Sequence, residues 1–142
     1  TGIGDYRIDS KITIKGNADF SQLNLNVYSN PSVAVEISTG GATNPTTPIL
    51  NMIVVLPKTV INVDKVGVGW GSTVGVRVVN CYSSIITTGR IEGFGTGLLV
   101  TAYGSRGNVY NTYNIGWLEN NKVNLSLSPN SATDFSKLPS RQ

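Results

Sequence analysis

The chain has 142 residues, a formal net charge of +3, one cysteine and no histidine. This length suits one domain with its own hydrophobic core. The lack of histidine excludes Ser-His-Asp and Cys-His catalysis, and with a single cysteine it also excludes a zinc site. Because no second cysteine exists for an internal disulfide, we expect Cys81 to be a small buried hydrophobe.

The composition favours turns and strands over helices. Charged residues make up 13% of the chain, against about 25% in an ordinary soluble domain. There are 15 asparagines and 16 glycines but only five alanines, a mixture that promotes turns and disfavours helix. Basic residues are scattered from Arg7 to Arg141 without forming a stripe, so nucleic acid is not an expected partner. No apolar stretch approaches the ~18 residues of a membrane span, and membrane insertion is not expected either.

Short apolar runs with period-two alternation predict a series of strands in the first half of the chain. They cover residues 6–14 (a pair of strands), 23–27, 33–37, 49–56 and 59–63. Pro57 is expected to end the run at 49–56, because proline cannot donate to a strand ladder. Residues 38–48, rich in Gly, Thr and Pro, predict a loop that protrudes between strands or forms a mobile surface lobe.

The second half of the chain repeats one pattern of strands. It opens at Gly75–Asn80, again 22 residues later at Gly97–Ala102, and a third time, about 24 residues further on, at Lys122–Leu127. A period of twenty-odd residues made only of short strands and turns is typical of a solenoid. We therefore predict an all-β chain that forms a parallel β-helix of about five to six rungs over residues 1–142, with no substantial helix.

Two details of this repeat are specific enough to test. Ile91 and Phe94 of one copy align with Ile115 and Leu118 of the next. The glycine runs 67–71 and 93–97 have a GxGxG-like form, but a phosphate-binding loop of that kind opens a helix. Here each run precedes a predicted strand, so we interpret its glycines as turn residues.

Three stretches resemble a known family. Asp5–Gly16 resembles the entry strand of pectate-lyase-like β-helix domains, and the segments 75–80 and 97–103 resemble rungs of bacteriophage tailspike and tail-fibre proteins. Tyr110–Leu125 resembles the asparagine- and tyrosine-rich rungs of phage receptor-binding proteins. The likeness covers about residues 5–127 and rests on degenerate structural motifs.

This resemblance implies a right-handed β-helix that belongs to a longer protein. Its N-terminal head-binding part and its C-terminal part would lie outside this chain. It further implies a homotrimer on the extracellular virion tail, in contact with other tail proteins. The resemblance implies that this segment recognises host surface polysaccharide, either capsule or O-antigen. It also implies that the whole protein, of which the chain is a segment, depolymerises that polysaccharide.

Candidate catalytic residues follow from the chemistry of glycan cleavage. Hydrolysis needs two carboxyl groups about 5 to 9 Å apart, and Glu92 and Glu119 both fall in the closing segment of successive repeats. Their alignment is a few residues out of phase. The alternative is that both are solvated turn residues on unrelated faces.

Candidate glycan-binding residues are aromatic, because flat rings cover the C–H faces of sugars. They are Trp117, Tyr110, Tyr113, Tyr103 and Trp70. The alternative is that these rings fill the core or pack between subunits. Asn80, Asn111 and Asn124 are expected to form a structural amide ladder at one corner. The sequence predicts no metal site and no cofactor.

Two other functions remain open at this point. The chain could be the non-catalytic, receptor-binding or structural shaft of a tail fibre. It could also belong to a secreted bacterial polysaccharide lyase or adhesin, although calcium-dependent lyases cluster their aspartates more closely than this sequence does. Whether the segment is itself an enzyme therefore stays undecided.

Overall fold

The computed structural model describes residues 4–28, 31–41, 45–47, 49–61, 71–104 and 107–129. Within these ranges the chain is all β and contains no helix. The strands are β1 (Gly4–Ile8), β2 (Ile12–Ile14), β3 (Ala18–Asp19), β4 (Leu23–Val27), β5 (Val33–Ile37), β6 (Ile49–Leu50), β7 (Ile53–Ile61), β8 (Val74–Val79), β9 (Cys81–Tyr82), β10 (Ile85–Glu92), β11 (Thr96–Ala102), β12 (Thr112–Glu119) and β13 (Val123–Pro129).

The strands form three parallel sheets. The first sheet has the order β1-β4-β7-β10-β12, with β3 also paired to β7, and the second has the order β2-β5-β8-β11-β13. A short third sheet pairs β6 with β9, and Val109 adds a parallel bridge to Tyr82. The chain alternates between the first and second sheets and moves one strand position along each sheet every time. The all-β prediction is confirmed, as are the strands at 23–27 and 33–37.

The first and second sheets share one hydrophobic core. Val35, Val76 and Leu98 occupy paired positions on successive strands of the second sheet, and all three are fully buried. They belong to the same cluster as Val27 and Ile86 of the first sheet. β-branched and leucine side chains therefore stack in columns, which suits their stiff rotamers and the pleated surface.

Gly116 lies where the backbones of β10 and β12 approach too closely for a side chain. It falls between the register pairs Thr88–Ile115 and Arg90–Trp117, and therefore next to Gly89. Thr88 and Ile91 on either side of Gly89 are both buried although they are three residues apart, so the inward–outward alternation changes phase here. A Cβ on Gly116 would overlap the carbonyl oxygen of Gly89 and lie 2.7 Å from that of Thr88.

The prediction that Pro57 ends its strand is wrong. β7 continues to Ile61. Pro57 falls between Val55, the last residue that pairs with β3, and Lys58, the first that pairs with β4. A proline is tolerated at that gap because no ladder partner faces its nitrogen on that side.

The predicted spacing of the repeats is correct for one step of the second sheet and wrong for the next. Val74 of β8 pairs with Thr96 of β11, as the 22-residue spacing predicts. The next step, from Thr96 to Val123, is 27 residues rather than 24.

In the first sheet Ile91 pairs with Leu118, whereas Ile115 pairs with Thr88. The predicted match of Ile91 to Ile115 is therefore wrong by three residues. This repeat is longer than the preceding one because residues 103–111 separate β11 from β12, whereas only residues 80–84 separate β8 from β10.

The loops near the second sheet are anchored where the structure describes them. The backbone oxygen of Pro45 accepts a hydrogen bond from Asn80 Nδ2 at 3.0 Å, and Gly40 lies against Thr13 and Lys15. The described parts of the predicted 38–48 loop therefore pack on the body of the molecule. Gly93 has a φ of 85° in the turn before β11, so it is the turn glycine that was predicted. Residues 67–70 lie outside the described ranges.

Candidate glycan-binding surface

Glu92 and Glu119 lie side by side on the outer face of the first sheet. They are directly paired in the register of β10 and β12, so their backbones are separated by one strand spacing of about 4.8 Å. Ile91 is buried and Leu118 packs against the core, and alternation turns the following glutamate outward in each strand. The expected phase difference between the two glutamates is therefore wrong, and so is the alternative that they occupy unrelated faces.

Arg90 joins the two carboxylates. Its Nη2 lies 2.9 Å from Glu92 Oε2 and forms a second ion pair with Glu119 Oε1. The other oxygen of Glu92 accepts a hydrogen bond of 2.8 Å from Asn120 Nδ2. Counting Arg90, Glu92 and Glu119, the cluster carries one positive and two negative charges.

Trp117 stands next to this cluster and faces solvent. It pairs with Arg90 in the register and is 71% exposed. An exposed indole offers a flat apolar face with a polar N–H at its edge, which a partner can cover. We call Arg90, Glu92, Trp117, Glu119 and Asn120 together the Trp117 surface.

The polar face continues along the strands away from Glu119. Thr87 and Asn114 are paired in the same register, and Asn114 Nδ2 lies 3.3 Å from Thr87 Oγ1. Five residues of strand separate Asn114 from Glu119, a length of about 16 Å. The face therefore offers an extended row of hydrogen-bonding groups beside one flat ring.

Tyr110 lies at another corner of the molecule. It is 75% exposed and precedes Trp117 by seven residues, a separation on the order of 20 Å along β12. Its φ of 56° repeats the left-handed φ of Asn51 (52°) and Ser83 (49°). Each of these three residues directly follows one of the mutually paired residues Val109, Leu50 and Tyr82. The turn after these pairings therefore imposes this conformation, and the two aromatic side chains do not form one site.

The remaining predicted aromatic residues are also separate from Trp117. Tyr113 packs against the core, its hydroxyl lies 3.3 Å from Asn111 Nδ2, and burial raises its pKa. Tyr103 follows β11 in the second sheet, and both its backbone N–H and C=O bond to Asn80 at 3.0 Å. Trp70 lies outside the described residues.

Two asparagines each bind an earlier turn of the chain through one donated and one accepted hydrogen bond, an arrangement that we call a clamp. Asn121 donates to the carbonyl of Ile91 at 3.0 Å and accepts from the N–H of Phe94 at 2.9 Å. Asn111 does the same to Cys81 and Ser84, at 2.7 and 3.0 Å. Each clamp satisfies a donor and an acceptor that a turn would otherwise leave without a partner.

The predicted ladder of Asn80, Asn111 and Asn124 is wrong in its arrangement. Asn80 and Asn111 each bind backbone groups of different turns, and Asn124 accepts from Asn121 at 3.2 Å. These amides therefore fasten turns to one another rather than stacking in one column.

A buried ionic cluster on the second sheet was not predicted from the sequence. Glu36 is fully buried, and its carboxylate accepts hydrogen bonds from Ser38 Oγ at 2.7 Å and from Arg77 Nε at 2.7 Å. Lys11 Nζ lies 3.3 Å away. Burial alone would raise the pKa of Glu36, but the bonds from Ser38 and Arg77 and the charges of Arg77 and Lys11 lower it overall. The only sequence signal was one glutamate in the run Val33–Ile37.

The single cysteine of the chain belongs to the hydrophobic core. Cys81 is buried as expected, and burial raises the pKa of its thiol to about 12. In the described ranges, no three Asp, Glu, Cys or His side chains gather as metal ligands. Among those same residues, no helix is long and apolar enough to cross a membrane.

Comparison with known proteins does not place the chain in a family. No protein-family description, curated protein or solved structure matches it. Any function must therefore be argued from its own residues and from the resemblance of its motifs.

Proposed function

We propose that this chain is a segment of a phage tailspike or tail fibre. It would form a right-handed parallel β-helix that recognises polysaccharide on the surface of the host cell. The glycan would lie along the outer face of the first sheet, against the Trp117 surface. The phage proteins that its motifs resemble imply that the chain would assemble as a homotrimer on the virion, attached to other tail proteins. The whole protein would depolymerise the polysaccharide that it binds.

The observation that carries this proposal is Trp117 beside fixed hydrogen-bonding groups. Sugars are bound by an aromatic face that covers their C–H groups, together with polar groups that bond their hydroxyls. Trp117 supplies the ring, and Glu92 and Glu119, both held by Arg90, supply acceptors. The amide of Asn120, which donates to Glu92, adds a further polar group.

The path of the chain supports the β-helical part of the proposal. Consecutive strands alternate between two parallel sheets in the same order, and a third set of short parallel pairings lies between them in sequence. A chain that coils around one shared core would produce all three sets of parallel strand pairings. Crossover connections between parallel strands are right-handed in about 98% of cases.

Binding is tested with purified capsular and O-antigen polysaccharides from a panel of bacteria. We expect the wild-type chain to bind at least one member and Trp117→Ala to weaken that binding about tenfold or more. Tyr6→Ala is the matched control, because Tyr6 is an exposed aromatic residue on β1 at the far end of the same sheet. Equal binding by wild type and Trp117→Ala would rule out the proposed surface.

Cleavage within this segment is the second candidate function. The in-register placement of Glu92 and Glu119 favours it, since two carboxyl groups on one face are what glycoside hydrolysis requires. Their shared ion pair with Arg90 favours a binding role instead, because both groups are already engaged. New reducing ends from the wild type, lost in Glu92→Gln or Glu119→Gln, would establish cleavage. Binding without new ends would leave catalysis to other parts of the protein.

A further inference from the structure

An apolar patch is exposed where the third sheet meets the first. Its members Leu50, Ile53, Ile85 and Tyr110 range from 43% exposed at Ile85 to 75% at Tyr110, and Tyr82 is half-buried beside them. We call these five residues together the Ile85 corner. Single exposed apolar residues are ordinary on a protein surface, whereas a contiguous apolar patch marks an interaction site.

The strand register places the residues of the Ile85 corner side by side. Ile53 pairs directly with Ile85, and Leu50 pairs with Tyr82. Tyr110 follows Val109, which pairs with Tyr82 in the next layer. The corner therefore spans three stacked layers, a height of about 10 Å at strand spacing.

The three layers of the Ile85 corner contain no charged side chain. They are supplied by residues 49–56, 80–89 and 107–118, none of which is Asp, Glu, Lys or Arg. The charged cluster around Arg90 begins five residues after Ile85, about 16 Å further along β10. The core of a protein–protein interface is likewise depleted of charge and enriched in tyrosine.

A balanced pair of charges borders the corner in the layer before it. Lys15 and Asp19 stand two residues on either side of Asn17, whose amide oxygen accepts a hydrogen bond from the N–H of Ile53 at 2.9 Å. Their charges are opposite, so this rim adds no net charge to the corner. An apolar centre with a polar rim is the usual anatomy of an interface between proteins.

The partner that this composition fits is a second copy of the chain. Because the chain has a formal charge of +3, two copies repel each other unless they meet through an uncharged surface. Nucleic acids and anionic membranes are bound through basic residues, which the corner lacks. Interfaces between identical subunits are also more apolar than those between independent proteins.

We infer that copies of this chain associate side by side through the Ile85 corner. The corner runs along the direction in which the layers stack, so copies related by rotation about a parallel axis present the same three layers to one another. The inference rests on the proposed function, because it assigns a surface to the homotrimer proposed there. Contact at the corner leaves the Trp117 surface, at the other end of β12, open to a glycan.

Sedimentation velocity and light scattering over a concentration series test the inference. We expect the wild-type chain to exceed its monomer mass of 15.1 kDa. Ile85→Lys should weaken the association about tenfold or more, because it places like charges at the contact. Tyr110→Asp should have the same effect, and aspartate tolerates the left-handed φ of 56° at this position. Ser10→Lys, which adds a charge on the exposed loop after β1, is the control that should keep the wild-type mass.

The outcomes separate self-association from glycan binding, because the same variants are also titrated with polysaccharide. Association lost in Ile85→Lys or Tyr110→Asp, with glycan binding retained, would support the corner as the contact between copies. A wild type that stays monomeric throughout the series, or unchanged masses for both variants, would overturn the inference. A wild type that associates through the corner but binds no polysaccharide would reject the glycan-binding proposal alone.

Discussion

Glu92 and Glu119 occupy directly paired positions on neighbouring parallel strands, and one guanidinium, that of Arg90, contacts both. Like charges at directly paired positions repel each other. The guanidinium of Arg90 offsets this repulsion because it forms an ion pair with each carboxylate. Arg90 therefore has a structural role as well as a place in the proposed surface.

Removing Arg90 should destabilise the chain in a way that depends on salt. We expect Arg90→Ala to lower the free energy of unfolding by about 0.5–1 kcal/mol at low salt, because two adjacent carboxylates lose their shared cation. The loss should shrink at about 1 M salt, which screens the repulsion between the two carboxylates. Urea unfolding at both salt concentrations measures this. Arg7→Ala, which removes an exposed pair with Asp9, should change stability little at either salt concentration, and an equal loss for Arg90→Ala at both would contradict the explanation.

The close approach of β10 and β12 depends on Gly116. Gly116→Ala should cost about 2–3 kcal/mol, because its Cβ would overlap the backbone of Gly89 and the overlap cannot be relieved by a side-chain movement. Thermal or urea unfolding provides the measurement. Gly16→Ala is the control, since an added Cβ there meets nothing within 4 Å. Similar stabilities for the two variants would show that β10 and β12 do not need a glycine at this position.

The clamp made by Asn121 should matter more than an exposed amide. Asn121→Ala leaves the carbonyl of Ile91 and the N–H of Phe94 without their partner, and we expect a loss of about 2 kcal/mol. Asn114→Ala removes only an exposed side-chain contact to Thr87, so its cost should stay below about 0.5 kcal/mol. Equal costs in urea unfolding would contradict the clamp.

The buried Glu36 should make stability fall in acid. Because the pKa of Glu36 is lower in the folded state than its ordinary value of 4.5, its ionised form stabilises the fold above pH 4.5. That contribution disappears as pH falls through the lowered folded-state pKa. We expect Glu36→Gln to cost about 3 kcal/mol at neutral pH, since it removes the buried carboxylate charge that both Arg77 and Lys11 contact.

The difference between wild type and Glu36→Gln should narrow progressively below pH 4.5. Unfolding free energies measured from pH 7 downward follow it, with Asp9→Asn as an exposed acid for comparison. A gap that stays constant through the acid range would mean that Glu36 is not ionised in the folded chain.

Strand positions were predictable wherever alternation was strict. Leu23–Val27 and Val33–Ile37 were predicted with the correct ends, because each inward residue is apolar and turn residues follow. The strand through Pro57 was missed because a strand tolerates proline only where no neighbouring strand needs its backbone N–H. Here β3 pairs with β7 up to Val55 and β4 pairs with it from Lys58, and a single sequence does not reveal that gap.

The site was predictable in its members but not in its arrangement. Glu92, Glu119 and Trp117 were selected from the sequence, yet their proximity depends on a 27-residue register that a search for a constant period misses. Arg90 was overlooked because only the folded register shows that it touches both Glu92 and Glu119. Tyr113 and Tyr110 were grouped with Trp117 on closeness in sequence, although an extended strand carries such residues far apart.

Trp117 offers the most direct test of the account, because the chain has only two tryptophans. The variant Trp70→Phe makes Trp117 the sole indole, and its fluorescence can be followed during titration with a polysaccharide that the wild type binds. The account predicts retained binding, a blue shift of the emission and reduced quenching by acrylamide as the ring is covered. Binding with no change in emission or quenching, or binding lost in Trp70→Phe, would show that the glycan lies elsewhere.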